Sequence, residues 1–209
     1  MVKVAFIVEG NTELELVRSD YFRRWLKEKC GMTLVGNPST TNCKGNDNMC
    51  STKLQKLVNL IRKNYQPDYV IVLADLDPSD SIQCITRRKQ HIGEKSVDLI
   101  IIARNAIEAW FLADTQAMQS WLGKGSERFR ESEPESHVKP WDRLEKHAKT
   151  FKARFPSNGS KPDFAKLFIQ LHQFNLERAA SHSNCPSAAY CVERLKKLGK
   201  GEDYESFVR

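Results

Sequence analysis

Three short, nearly continuous apolar runs, at residues 4–8, 69–74 and 97–103, constrain this chain more than any other feature. A strand that is apolar at successive positions is covered on both faces, the condition of a parallel sheet sandwiched between helices. The intervening segments fit that requirement. Asn11 or Thr12 offers an N-cap, Glu15 completes a capping box with Thr12, and Leu14, Val17, Tyr21 and Trp25 continue at helical spacing. A short strand near residues 33–35 precedes a loop rich in Gly, Asn, Ser and Thr. Thr52 with Gln55 then starts a second helix, which sets Leu54, Leu57, Val58 and Ile61 on one face and runs to about Asn64. Helices over residues 81–91 and 105–113 complete the order β, α, β, α, β, α, β, α. That order predicts a parallel α/β sheet with right-handed crossovers, finished by about residue 115.

The second half has a different character. No β-branched run follows Ala103, residues 124–139 read as a flexible Ser-, Glu- and Pro-bearing loop, and helical spacing returns over 141–151, 162–174 and 188–198. The expected organisation is an α/β domain over 1–115 and a helical, basic extension over 116–209. The net charge of +7 sits mostly in that extension, which carries +5 against +2 for the first part. Lys139, Arg143, Lys146, Lys149, Lys152 and Arg154 interleave there with Trp141, Phe151 and Phe155, a footprint suited to a polyanion. The same spacing also describes a solvated amphipathic helix face, and charge leaves both readings open.

No apolar run approaches the roughly 20 residues of a membrane-spanning helix. Residues 1–10 lack the cleavage site of a secretory signal, so the expected setting is cytoplasmic. Six cysteines, with no Cys-x-x-Cys pair, then read as free thiols rather than disulfides or a zinc site.

In an open parallel sheet, ligands bind beyond the carboxyl ends of the strands. Acids gather at that edge. Glu9 closes the first strand, Asp75 and Asp77 close the third, and Glu108 lies in the first turn after the fourth. Asp75 and Asp77, two residues apart, would point to one side of a continuing strand. Carboxylates this close repel one another unless one holds a proton or a cation lies between them, and hard oxygen ligands suit Mg²⁺ or Mn²⁺. Arg104 faces either a phosphate or one of these acids. Each element has a plain structural reading as well: Gly10 as a residue with an unusual backbone angle, Asp-x-Asp-Pro as a turn, and Glu13 and Glu108 as first-turn acids favoured by the helix dipole.

Val8-Glu9-Gly10-Asn11-Thr12-Glu13 resembles the glutamate motif of TOPRIM domains, and Leu73-Ala74-Asp75-Leu76-Asp77 resembles their Asp-x-Asp motif, each ending an apolar strand and in the same order. With Glu13 and the stretch from Arg104 to Phe111, the chain is similar to the RloB-type and OLD-type TOPRIM nucleases of prokaryotic defence. The likeness covers residues 1 to about 115. Beyond them it rests on Lys161 in Ser-Lys-Pro-Asp-Phe and on Cys185-Pro186-Ser187. It implies a TOPRIM-like fold in which Asp75 and Asp77 bind Mg²⁺ or Mn²⁺. Glu9 would be a ligand or general acid/base, Glu13 and Glu108 further ligands, and Lys161 a catalytic side chain. The implied activity is metal-assisted hydrolysis of phosphodiesters in DNA or RNA, with Arg104 and the basic extension holding the backbone. The chain has no Gly-x-x-x-x-Gly-Lys-Ser/Thr loop, so a partner ATPase is an expected accessory, and a homodimer is compatible with the reading.

Two alternatives stand beside it. Asp75-Leu76-Asp77-Pro78-Ser79 also resembles the first motif of haloacid-dehalogenase-type phosphatases, with Asp75 as nucleophile and Asp77 as acid/base, although that leaves the Glu9 motif without a role. The other is a TOPRIM fold that binds nucleic acid or a partner without turnover.

Overall fold

A computed structural model of the chain describes residues 1–37, 41–76, 85–93, 96–136 and 139–202. Strand β1 (Val2–Val8) leads into helices α1 (Asn11–Arg18) and α2 (Asp20–Cys30), then strand β2 (Met32–Leu34). Helices α3 (Asn46–Met49) and α4 (Thr52–Tyr65) precede strand β3 (Tyr69–Asp75), and α5 (Ile85–Ile92) precedes strand β4 (Leu99–Ala103). Among the described residues six more helices follow: α6 (Glu108–Ala113), α7 (Thr115–Leu122), α8 (Pro140–Phe151), α9 (Lys161–Leu171), α10 (Leu176–Ala180) and α11 (Pro186–Lys200).

The described strands form one parallel sheet in the order β2-β1-β3-β4. The fold is therefore the expected parallel α/β class with C-terminal helices. Chain direction across the sheet reverses between β1 and β3, which makes their carboxyl ends the switch point where crossovers diverge and leave a crevice.

Alternation along the strands sorts side chains into two cores. Val4, Phe6, Val8, Ile71, Leu73, Leu99 and Ile101 face α1, α2 and the later helices, whereas Ala5, Ile7, Val70, Val72, Ile100 and Ile102 face Leu54, Val58 and Ile61 of α4 and Ile92 of α5. The first core is continuous from β1 to Leu198. Its centre is aromatic: Phe111 lies 5.3 Å from Phe168 and 5.1 Å from Phe174, ring centroid to ring centroid. The helices after residue 115 thus roof one face of the sheet, and each fully buried Phe contributes roughly 1.5–3 kcal/mol.

Several local expectations are corrected. The helix expected through Leu14 and Trp25 breaks at Ser19, whose hydroxyl donates to the Leu16 carbonyl (2.7 Å) and accepts the Phe22 N–H (3.1 Å), so it caps α2. The first N-cap is Gly10 rather than Asn11 or Thr12, and Glu13 rather than Glu15 accepts its N–H, at 3.0 Å. Glu15 instead accepts from Arg18 at 2.8 Å. Ser51, not Thr52, caps α4. The helix expected from residue 105 starts at Glu108, because Asn105 adopts φ 65° and ties its side-chain amide to the Glu135 carbonyl at 2.7 Å. Residues 124–136, read as a flexible loop, bury Ser126, Glu131 and Glu135 and are pinned by them. Helices α3, α7 and α10 go beyond the sequence expectation.

Candidate functional site

The switch point brings together acids that are far apart in the chain. Glu9 follows the last residue of β1 and Asp75 ends β3, so parallel pairing of Val8 with Leu73 sets them side by side. The Glu9 carboxylate accepts the backbone N–H of Asp75 at 3.1 Å. Glu13, 4% exposed, stands in the first turn of α1 and folds back over Gly10. Gly10 does not supply an unusual backbone angle: its φ of −138° is ordinary extended backbone, and an added Cβ would stand 3.0 Å from Glu13 Oε2, so that the carboxylate would shift by a few tenths of an ångström. Glu108, 1% exposed, enters from α6, and the N–H of Ile107 just before it donates to Asp75 Oδ1 at 3.0 Å.

Among the described residues, two cations face this group. Lys161, the first residue of α9, places Nζ 3.2 Å from Glu108 Oε1 and 5.9 Å from the centre of the Trp141 ring. Arg88 of α5 pairs with Glu9 at 2.9 Å. The pairs do not neutralise the acids. Burial, followed by the negative charges of Glu108 and Glu9, pushes the Glu13 carboxyl up to about 7. Burial likewise holds the Asp75 carboxyl well above its usual range, aided by Glu13, Glu108 and Glu9 and opposed by Lys161. Glu108 Oε2 is buried with no hydrogen-bond partner.

The expected residues thus divide. Glu9, Glu13, Asp75, Glu108 and Lys161 come together, while Asp77 lies outside the described residues. Among the described residues, no group of three or more His, Cys, Asp or Glu side chains is arranged to hold a metal ion as it stands. Arg104 is exposed on the same edge, its own N–H fixed by Ser187 Oγ at 3.1 Å. Of the basic extension, Lys139, Lys146, Lys152 and Arg154 are exposed, and Lys149 pairs with Glu145 at 2.8 Å on the surface. Arg143 turns inward to Glu131 at 2.8 Å. The interleaved aromatics are packing residues: Trp141 and Phe155 lie 4.6 Å apart, centroid to centroid, against the first core.

Residues 8–196 match a family described as a domain of unknown function, DUF4276. The chain belongs to that family. The matched span runs from the end of β1 into α11, so the segments bearing Glu9, Asp75, Glu108 and Lys161 all fall within it. No curated protein and no solved structure matches the chain.

Arg88 and its partners Asn46 and Cys50 escaped the sequence reading. Arg87-Arg88-Lys89 looks like a solvated basic run, and the available signal was the spacing of Arg88 to Ile92, four residues on and buried on the same inward face. A second omission is Glu135, which joins Ser187 and Cys185 at the start of α11 to the loop carrying Arg104.

Proposed function

We propose that this protein is a TOPRIM-like nuclease that hydrolyses phosphodiester bonds with Mg²⁺ or Mn²⁺, similar to the RloB-type and OLD-type enzymes of prokaryotic defence. The observation that carries the reading is the meeting of Glu9, Glu13, Asp75 and Glu108 at the β1/β3 switch point, with two carboxyls driven towards protonation and one buried oxygen unmatched.

The donor chemistry fits a hard divalent cation, because all four groups offer oxygens and their mutual repulsion is what a cation would relieve. Asp75 and Glu13, with Asp77, are the expected ligands; Glu108 supplies its unmatched oxygen. A divalent ion held there would polarise a phosphoryl oxygen and make water acidic enough to attack at neutral pH. The protein's own residues do the rest. Glu9, which fixes the Asp75 backbone, would accept a proton, Lys161 would offset part of the local negative charge, and the exposed Arg104 would grip a phosphate oxygen. Lys139, Lys146, Lys152 and Arg154 track the backbone of DNA or RNA. A partner ATPase and a homodimer remain part of this reading.

The test is calorimetric titration of Mn²⁺ and Mg²⁺ into wild type and Asp75→Asn, with cleavage of single- and double-stranded DNA and RNA on the same samples. Binding and cleavage lost together in the variant uphold the reading. Absence of binding in wild type removes it, and Glu9→Ala separates it from the phosphatase alternative, in which Glu9 has no task.

A further inference from the structure

Arg88 is 1% exposed, on the face of α5 that also buries Ile92 against the sheet. Nε donates to the carbonyl of Asp75 at 3.0 Å, Nη2 to Glu9 Oε2 at 2.9 Å, and Nη1 to Asn46 Oδ1 and, at 3.3 Å, to Cys50 Sγ. Three segments therefore meet on one guanidinium: the end of β1, the end of β3 and the turn around α3. Glu9 also accepts the Asp75 N–H, so the carboxylate takes that residue's donor while Arg88 takes its acceptor. The Asp75 side chain is held separately by Ile107 N–H.

A buried ion pair is a poor source of stability, since apolar residues of similar volume commonly do as well. What an arginine offers instead is a rigid planar fork that fixes several acceptors in set directions, which a lysine ammonium does not reproduce. We propose that Arg88 is the positioning residue of the acidic site, holding Glu9 and the Asp75 backbone in register so that the carboxylates converge on one point. This inference deepens the nuclease reading and rests on it for its catalytic consequence, though not for its structural one. Arg88 lies beneath the site and acts through Glu9 and Asp75.

Arg88→Lys in the full chain is the test. Mn²⁺ affinity and kcat should each fall by roughly 10–100-fold, the usual cost of losing a group that orients ligands, while KM for nucleic acid stays unchanged. Exchange of the Asp75 amide in metal-free protein should rise roughly tenfold or more, with amides in the far core around Phe168 and Leu195 unaffected. Wild-type affinity, kcat and Asp75 exchange in the variant would overturn the proposal. If wild-type protein neither binds Mn²⁺ nor cleaves, the functional reading fails by itself, and Asp75 exchange alone decides the role of Arg88. Should Arg88→Lys not fold, Asn46→Ala releases one edge of the guanidinium with both charges left in place. It should move the same readouts in the same direction by a smaller factor, and no movement overturns the proposal.

Discussion

Asp114 and Glu108 are equally buried acids six residues apart, yet their surroundings are opposite. Asp114, at the start of α7, accepts the N–H groups of Ala117 (3.2 Å) and Asn175 (2.7 Å) and both arms of Arg178, at 2.7 and 2.9 Å. Every oxygen is matched, and the result ties α7 to α10. Glu108 has one lysine at 3.2 Å, one oxygen without a partner, and sits among acids that repel it. Burial of a carboxylate therefore says little about function. A cluster of several mutually repelling acids at the carboxyl edge of a parallel sheet says more, because most buried polar groups in proteins are satisfied.

The sharpest way to break this contrast is to neutralise one acid in each region. Asp75→Asn should abolish metal-dependent cleavage, by more than the roughly hundredfold that a supporting residue costs. Its thermal stability at pH 8 should hold or rise, since a carboxyl whose anion is disfavoured by burial and by three neighbouring acids is replaced by a neutral amide. Asp114→Asn should do the reverse. Breaking its buried pair costs about 3 kcal/mol, or a fall of about 6–12 °C in Tm for a chain of this size, with metal affinity per folded molecule intact. Equal stability losses in scanning calorimetry of the two variants would erase the distinction.

A smaller effect appears in the pH dependence of the metal-free protein. The Glu13 carboxyl is raised from 4.5 to about 7 on folding, so the folded state holds its proton more tightly than the unfolded chain. Its contribution to stability is fully present below about pH 4.5 and is lost as pH rises through 7. Asp75, shifted in the same direction, adds to the trend. Denaturant unfolding between pH 4.5 and 8 should show this decline, Glu13→Gln should flatten it, and Mg²⁺ should oppose it. A slope unchanged in Glu13→Gln would place the titrating group elsewhere.

The smallest expected changes concern the basic helices. Lys146→Ala, Lys152→Ala and Arg154→Ala should each reduce the salt dependence of nucleic-acid binding by about one unit of slope. Arg143→Ala should instead lower stability, because it removes a partner of the buried Glu131. Binding titrations across a salt series, paired with melting curves, separate the two behaviours.

Much of the fold was legible because apolar runs and helix periodicity are local signals. Residues 69–74 could be read as a covered strand, and Glu9 and Asp75 as acids at strand ends, from chain neighbours alone. Arg88 was illegible for the same reason. Its burial depends on where α5 lands, and its partners lie 13 to 79 residues away. Trp141 and Phe155 misled in the opposite sense, since interleaving with lysines looks alike whether the rings face solvent or the aromatic core. The loop over 124–136 read as flexible because its composition is polar, and only the fold shows Glu131 and Glu135 directed inward.

By itself, the sequence determined the parallel α/β class, the carboxyl edge as the place where acids collect, and the basic bias of the later helices, because each follows from the order of residues along short segments. Tertiary structure decided which acids meet, which of them are matched by a cation, and that the C-terminal helices complete the core rather than stand apart. Charge pairing and desolvation depend on distances between segments, and only packing sets those distances.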